Sequence, residues 1–193
     1  MYGIFGGFIS FVSVLVMTFY MLVERDGLQK FVNTVVPVLW RERVLILLWR
    51  MQEKMGLWVR GQLILMASVG VLSYTALLIL GVPYALVLAL LAGLLEIVPV
   101  VGPITAAVPA VVIAFAVSPM RALTVLLIYV VIQQLENHVL VPRVMSRSIG
   151  LSPLLVIIAI LLGAKLGGIT GTLLAVPAIT ALSVMWEVKA EVV

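Results

Sequence analysis

Cysteine is absent from this chain of 193 residues, and histidine occurs once, at His138. The first absence excludes disulfides, thiolate nucleophiles and cysteine-ligated zinc. The second leaves little with which to build a histidine-based metal site. No Gly-x-Ser-x-Gly or His-Glu-x-x-His motif is present, so no catalytic residue, metal or cofactor is expected and the chain does not read as an enzyme. Charge is scarce as well. Asp, Glu, Lys and Arg make up 10% of the residues, where a soluble domain carries about 25%. Hydrophobic residues make up 64%, and the mean hydropathy is +1.31. Too few ionisable side chains exist to cover a surface, and the apolar residues exceed any plausible core. Disorder, a solvated solenoid and an ordinary cytosolic enzyme are thereby excluded, and lipid is the expected solvent and principal partner. The net charge of +4 then speaks of orientation in a membrane, and nucleic acid is not an expected partner.

The few charges are unevenly placed. Glu24–Arg60 holds seven of the twelve basic residues and four acids. Three regions follow: a membrane helix over 1–23, a cytoplasmic amphipathic insert over 24–60, and an apolar transmembrane body over 61–193. Residues 3–23 are long enough to span and lack the basic start and cleavage site of a signal peptide. Within the insert, Val44, Leu47, Leu48, Met51, Met55 and Trp58 fall on one helical stripe about 100° wide. Such a stripe lies on a membrane surface, packs on a neighbour or packs within the protein itself. A chain that begins almost inside a membrane segment is expected to be part of a longer protein.

The body contains the apolar runs Gly61–Leu80, Val82–Val98, Ile104–Val117, Ala122–Gln133, Leu151–Gly163 and Leu166–Met185. The middle four are short or interrupted by Gly and Pro. At membrane depth such breaks are tolerated only where the freed backbone groups face protein or a water-filled cavity. With the basic insert in the cytoplasm, following the chain puts ten basic residues inside and Arg121, with or without Lys165, outside, as the positive-inside rule requires. This places the C-terminus in the cytoplasm. Arg143 and Arg147 mark the cytoplasmic side, next to Pro142.

Two stretches are alike. Pro83-Tyr84-Ala85-Leu86 runs to Gly93, and Pro153-Leu154-Leu155-Val156 runs to Gly163 at the same offset. Each continues to a Gly-x-Ile-Thr (Gly102–Thr105; Gly167–Thr170) and then a Val-Pro-Ala (Val108–Ala110; Val176–Ala178). The expected fold is therefore all-α: a polytopic integral membrane protein with two Gly/Pro-broken helical hairpins, about 82–118 and 151–186, read as an inverted repeat. In secondary transporters, interrupted segments in matching positions of two halves point to the substrate site.

Glu96-Ile97-Val98-Pro99-Val100-Val101-Gly102-Pro103 and Gln134-Leu135-Glu136-Asn137-His138-Val139-Leu140-Val141-Pro142-Arg143 resemble the autoinducer-2 exporter family, as do Gly61-Gln62, Gly81–Ala85, Gly150–Leu154 and Ala175–Pro177. The resemblance runs over nearly the whole chain and matches the C-terminal part of longer multispanning proteins. Two departures are Ser152, where a histidine is common, and Asn137-His138 in place of a Gly-Asn pair. The resemblance implies export of a small polar solute such as autoinducer-2 by alternating access, across the cell membrane, by a self-associating protein. Other members are described as sodium(lithium)/proton antiporters. A membrane scaffold acting through the amphipathic insert is the alternative from another class.

Particular residues carry the expected site. Glu96 sits one turn before Pro99, and a carboxylate in lipid costs at least about 2.5–3.5 kcal/mol. It must face a cavity, bind a cation or hold a proton. The alternative is a structural hydrogen bond to backbone freed by Pro99, Gly102 and Pro103, whose break can also ligate a cation or solute. Gln133, Gln134, Glu136, Asn137 and His138 form the densest polar cluster of the body. They line a path for a small polar solute or cation, or they form a solvated helix end. Gly163, Gly167, Gly168 and Pro177, with Gly171 beside them, are expected to break the second hairpin. Lys165 among them snorkels to an interface or faces the path. The orientation gives a first test. A cysteine introduced at Ser118 is expected to react with an impermeant maleimide only from outside, and one at Arg143 only from inside. Reaction of both from one face would overturn the topology.

Overall fold

The structure, a computed structural model, describes residues 27–99, 101–145 and 153–190. The expected membrane helix over 1–23, the start of the insert at 24–26, and Arg147 lie outside the described residues. Every element among the described residues is helical. The chain divides into two compact units, 1–49 and 50–193, each described here by itself.

In the first unit, α1 spans Gly27–Val35. It stops at Pro37, because the residue before a proline is pushed out of the helical region. The Arg41 side chain donates to the freed Val36 carbonyl at 2.9 Å, and the Trp40 amide donates to the Pro37 carbonyl at 2.9 Å. The helix α2 begins at Val38 and is continuous to Ile79. Gly56, Gly61 and Gly70 are isolated within α2, and a single glycine costs about 1 kcal/mol without breaking a helix.

The second unit holds two helical hairpins. The first pairs α3, Ala85–Leu95, with α4, Val101–Val117. The second begins as one helical run, Pro153–Ala190, bent at Gly168 (φ 57°, ψ −136°) into α7, Leu154–Gly168, and α8, Thr170–Trp186. Between the hairpins run α5, Pro119–Leu135, a π-helical segment, Glu136–Leu140, and a short α6, Val141–Met145. α3 has 11 residues, about 16 Å of helix, which is near half the roughly 30 Å hydrocarbon core.

The pattern of burial is inside out relative to a soluble protein. Along α4, Ala106, Ala110 and Ala114 are fully buried, while Ile104, Val108, Val112 and Phe115 are 60% to 63% exposed. Small residues line the packed face and let α3, α4 and α5 approach closely, with Leu77, Leu88 and Val125 filling between them. The large apolar residues face outward, which is stable only in lipid. Val38–Ile79 and Pro119–Met145 are each long and apolar enough to cross a membrane, and no more than 28% of the apolar window in either is buried. The fold is that of an all-α membrane protein.

Glycine sets the closest approaches. A Cβ on Gly102 would strike the Leu95 carbonyl, and one on Gly163 or Gly171 would strike the other's backbone. The second hairpin therefore turns at Gly168, whose positive φ favours glycine. Gly163 and Pro177, expected as breaks, instead lie inside α7 and α8. The Val-Pro-Ala marks of the repeat fall at corresponding places, inside the second helix of each hairpin. At the far end of the first hairpin, Ser118 Oγ accepts the Arg121 amide at 3.2 Å. The Arg121 guanidinium donates to the Gly81 carbonyl at 3.1 Å and ties the two turns together. Trp58, the last member of the amphipathic stripe, is buried against Ile160, Ala175 and Val176. At that point the stripe packs within the protein itself.

Gly102→Ala is expected to destabilise the protein by about 2 kcal/mol or more, because backbone must move. Gly56→Ala, whose Cβ would meet nothing within 4 Å, is expected to stabilise by up to about 1 kcal/mol. Denaturation in detergent micelles measures both.

Candidate functional site

Three buried polar side chains converge where the first hairpin turns. Glu96 closes α3 and is 1% exposed, Gln62 on α2 is 3% exposed, and Glu136 at the end of α5 is 3% exposed. Each is placed by a local feature of the sequence. α3 ends at Leu95 because Pro99, four residues on, has no amide to continue its ladder. The carbonyls of its last turn are met by amides of the turn, Ala92 by Glu96, Leu94 by Ile97 and Leu95 by Val98, and the Glu96 carbonyl is left to a side chain. The Gln62 side chain, held one turn past Trp58 on α2, donates from Nε2 to the Glu96 carbonyl at 2.5 Å. One orphan of the broken helix is thereby satisfied by a side chain from another helix.

Glu136 is turned inward by the π segment. The Val141 amide donates to the Glu136 carbonyl, five residues back. Pro142 has no amide to give to His138, and its ring crowds that carbonyl, so the ladder widens by one residue before it. The widened turn leaves Glu136 buried and its neighbours Asn137 and His138 exposed. His138 Nδ1 lies 2.9 Å from the Gln134 carbonyl. Gln133 Nε2 stands 3.5 Å from both Glu136 Oε2 and Asn137 Oδ1, at the outer limit of a hydrogen bond.

The Glu96 and Glu136 carboxyls face each other within side-chain hydrogen-bonding reach. With both ionised, neither Glu96 oxygen has a donor among the described residues, and neither does Gln62 Oε1. Unpartnered acceptors this deeply enclosed are costly. The arrangement is complete only with hydrogen between the carboxyls or with a donor or cation among them. Among the described residues, no group of three or more His, Cys, Asp or Glu could hold a metal ion.

The expected residues are thus distributed as follows. Glu96 and Glu136 meet directly, Gln133 reaches Glu136, and Asn137 touches the edge of the group through Gln133. Pro99 is half-buried in the turn, and Gly102 and Pro103 are buried in the first turn of α4. Gln134 is exposed, as are Pro142 and Arg143 on α6 and Lys165 close to the Gly168 bend. Gly167 precedes that bend inside α7. Gln62 was not among the expected site residues. A lone amide within an apolar run was the available signal. Ser73 and Tyr129, buried hydroxyls on α2 and α5 that approach each other, also went unread, because each looks like an ordinary member of an apolar helix.

Comparison with known proteins gives consistent results. A family model described as AI-2E family transporter matches residues 1–191. Two Bacillus subtilis (strain 168) proteins are similar. "Putative transport protein YrrI" is 33% identical over 178 residues, covering 92% of this chain and 50% of that protein. "Putative transport protein YueF" is 32% identical over 166 residues, covering 86% and 45%. The Mycobacterium tuberculosis "Putative transport protein MT0215" is 39% identical over 104 residues, covering 53% and 28%. The chain spans about half the length of the two Bacillus relatives.

The site makes a prediction about stability. Glu96→Gln places an amide donor opposite Glu136 and removes one of two facing carboxylates, so the melting temperature is expected to equal or exceed that of the natural protein. Gln62→Leu leaves the Glu96 carbonyl without its donor and is expected to cost about 1–3 kcal/mol. Thermal unfolding in detergent checks both signs.

Proposed function

The chain belongs to the AI-2E family of transporters, and on that premise we propose that it exports a small polar solute by alternating access. The carrying observation is the buried Gln62–Glu96–Glu136 group at the turn of a broken hairpin. Intramembrane acids are expensive and mark pathways, and a helix broken at membrane depth supplies polar backbone to a substrate. The π segment opposite it is a form of helix found often at functional sites. In this reading the first hairpin turn and the π segment part and close again around the solute, exposing the group to each side in turn. The same reading puts the protein in the cell membrane as a multi-pass protein with a cytoplasmic C-terminus, working as a homo-oligomer. Autoinducer-2, and with it quorum sensing, is one cargo consistent with the resemblance.

Sodium(lithium)/proton antiport is the second reading. The facing carboxylates favour it, since an acidic pair can exchange a proton for another cation. Sodium-dependent proton flux in vesicles separates the two.

The test is transport by the full-length protein in proteoliposomes, screened against small polar solutes with and without proton and sodium gradients. Glu96→Gln is expected to lower the flux of the transported solute at least tenfold while the protein remains folded. Undiminished flux in that variant would remove Glu96 from the path. Loss of activity in Met51→Glu with full activity in Glu96→Gln would favour the scaffold instead.

A further inference from the structure

The group at the first hairpin turn has a definite chemical bias. Among the described residues, its wholly unpartnered atoms are acceptors: Gln62 Oε1, Glu96 Oε1 and Glu96 Oε2 lack donors, and the facing group is a second carboxylate, Glu136. One Gln62 amide hydrogen is given to the Glu96 carbonyl, and Gln133 offers Glu136 only a 3.5 Å contact. Glu136 is the one charged group acting on Glu96 among the described residues. An anion would face two carboxylates with no cation beside them among the described residues. A neutral polyol would bring donors but leave the carboxylate charge uncompensated in a low-dielectric setting. One shared hydrogen joins the two carboxyls but leaves Gln62 Oε1 and one Glu96 oxygen empty.

A primary ammonium group has three donors, no acceptor and one positive charge. Among the described residues, the unpartnered acceptors of this group number three: the Gln62 amide oxygen and the two oxygens of Glu96. The structure points to a binding site for the ammonium group of a small free amine, made by Gln62, Glu96 and Glu136 at the turn of the first hairpin. This deepens the transport reading and rests on it by naming the class of cargo. The enclosure of all three residues favours a compact free amine over a lipid headgroup.

Charge balance adds a second consequence. The empty group with one hydrogen shared between two carboxyls carries −1. The group with both carboxylates ionised and one ammonium bound also carries −1. Binding therefore releases one proton to solvent as the ammonium enters, with no covalent bond made or broken other than the O–H. Apparent affinity then rises about tenfold per pH unit while the one-proton form predominates.

The experiment is calorimetric titration of the full-length protein with methylammonium chloride, in phosphatidylcholine nanodiscs that contain no lipid ammonium group of the same kind. Two buffers of different ionisation enthalpy report proton release. Saturable binding with one proton released, weakened at least tenfold in Glu96→Gln and in Glu136→Gln, and no binding of glycerol, is the expected result. If either variant fails to fold, the other carries the same comparison. Binding equal in both variants, binding without proton release, or equal competition by sodium chloride would overturn the proposal. The two readings fail separately. Flux of a neutral solute without methylammonium binding sinks the amine site alone, whereas methylammonium binding without flux of any solute sinks the transport reading.

Discussion

The contact on which the rest depends is the meeting of Glu96 and Glu136 away from water. Each carboxylate alone would be costly in an apolar setting, and facing each other they are costlier still unless a positive charge or a hydrogen lies between them. The fold brings them together all the same, through three separate backbone devices. α3 stops at Leu95, just short of the turn at Pro99, the π segment rolls Glu136 inward, and the Gln62 side chain fastens the end of α3 to α2. Polar groups held this way by well-packed surroundings are where strain and function coincide.

The surroundings are built to hold that contact closely. α4 carries alanines on its buried face and large aliphatics on its outer face, so its helix axis can approach α3 and α5. Gly102 allows the chain to re-enter a helix directly against the Leu95 carbonyl. Association of helices in lipid has no hydrophobic drive between them, so close van der Waals packing and polar contacts must supply it. The same economy appears in the second hairpin, where Gly163 and Gly171 press backbone against backbone. At the opposite end of the first hairpin, Arg121 fixes the Gly81 turn. The turn bearing Glu96 is thereby left as the polar end of an otherwise apolar element.

Much of this was legible in the sequence. Composition identified lipid as the solvent, and the exposed apolar faces of α2 and α5 agree. Pro99 marked the end of α3, and the spacing of Glu96 and Glu136 beside prolines marked both acids. Other features were not legible, for physical reasons. Gln133 does lie beside both Glu136 and Asn137, as helical spacing suggests, but the widened ladder before Pro142, which leaves Glu136 buried and Asn137 exposed, was not legible. Gly163 and Pro177 carry break-forming residue types, yet one serves close packing and the other is accommodated inside α8. Gln62 is a lone amide in the apolar run Gly61–Leu80, and nothing local shows that it meets the end of α3.

What the sequence determined by itself was the solvent, the helical class and the two places where helices must be interrupted. Those follow from side-chain transfer energies and from the geometry of proline and glycine, which are local properties. What the tertiary structure decided was which polar residues meet. Glu96 and Glu136 are forty residues apart by number (136 − 96), and Gln62 lies on a third helix. Their contact depends on helix register, on the inward roll of the π segment and on how closely alanine faces allow backbones to approach. Those are properties of packing, and no single stretch of sequence contains them.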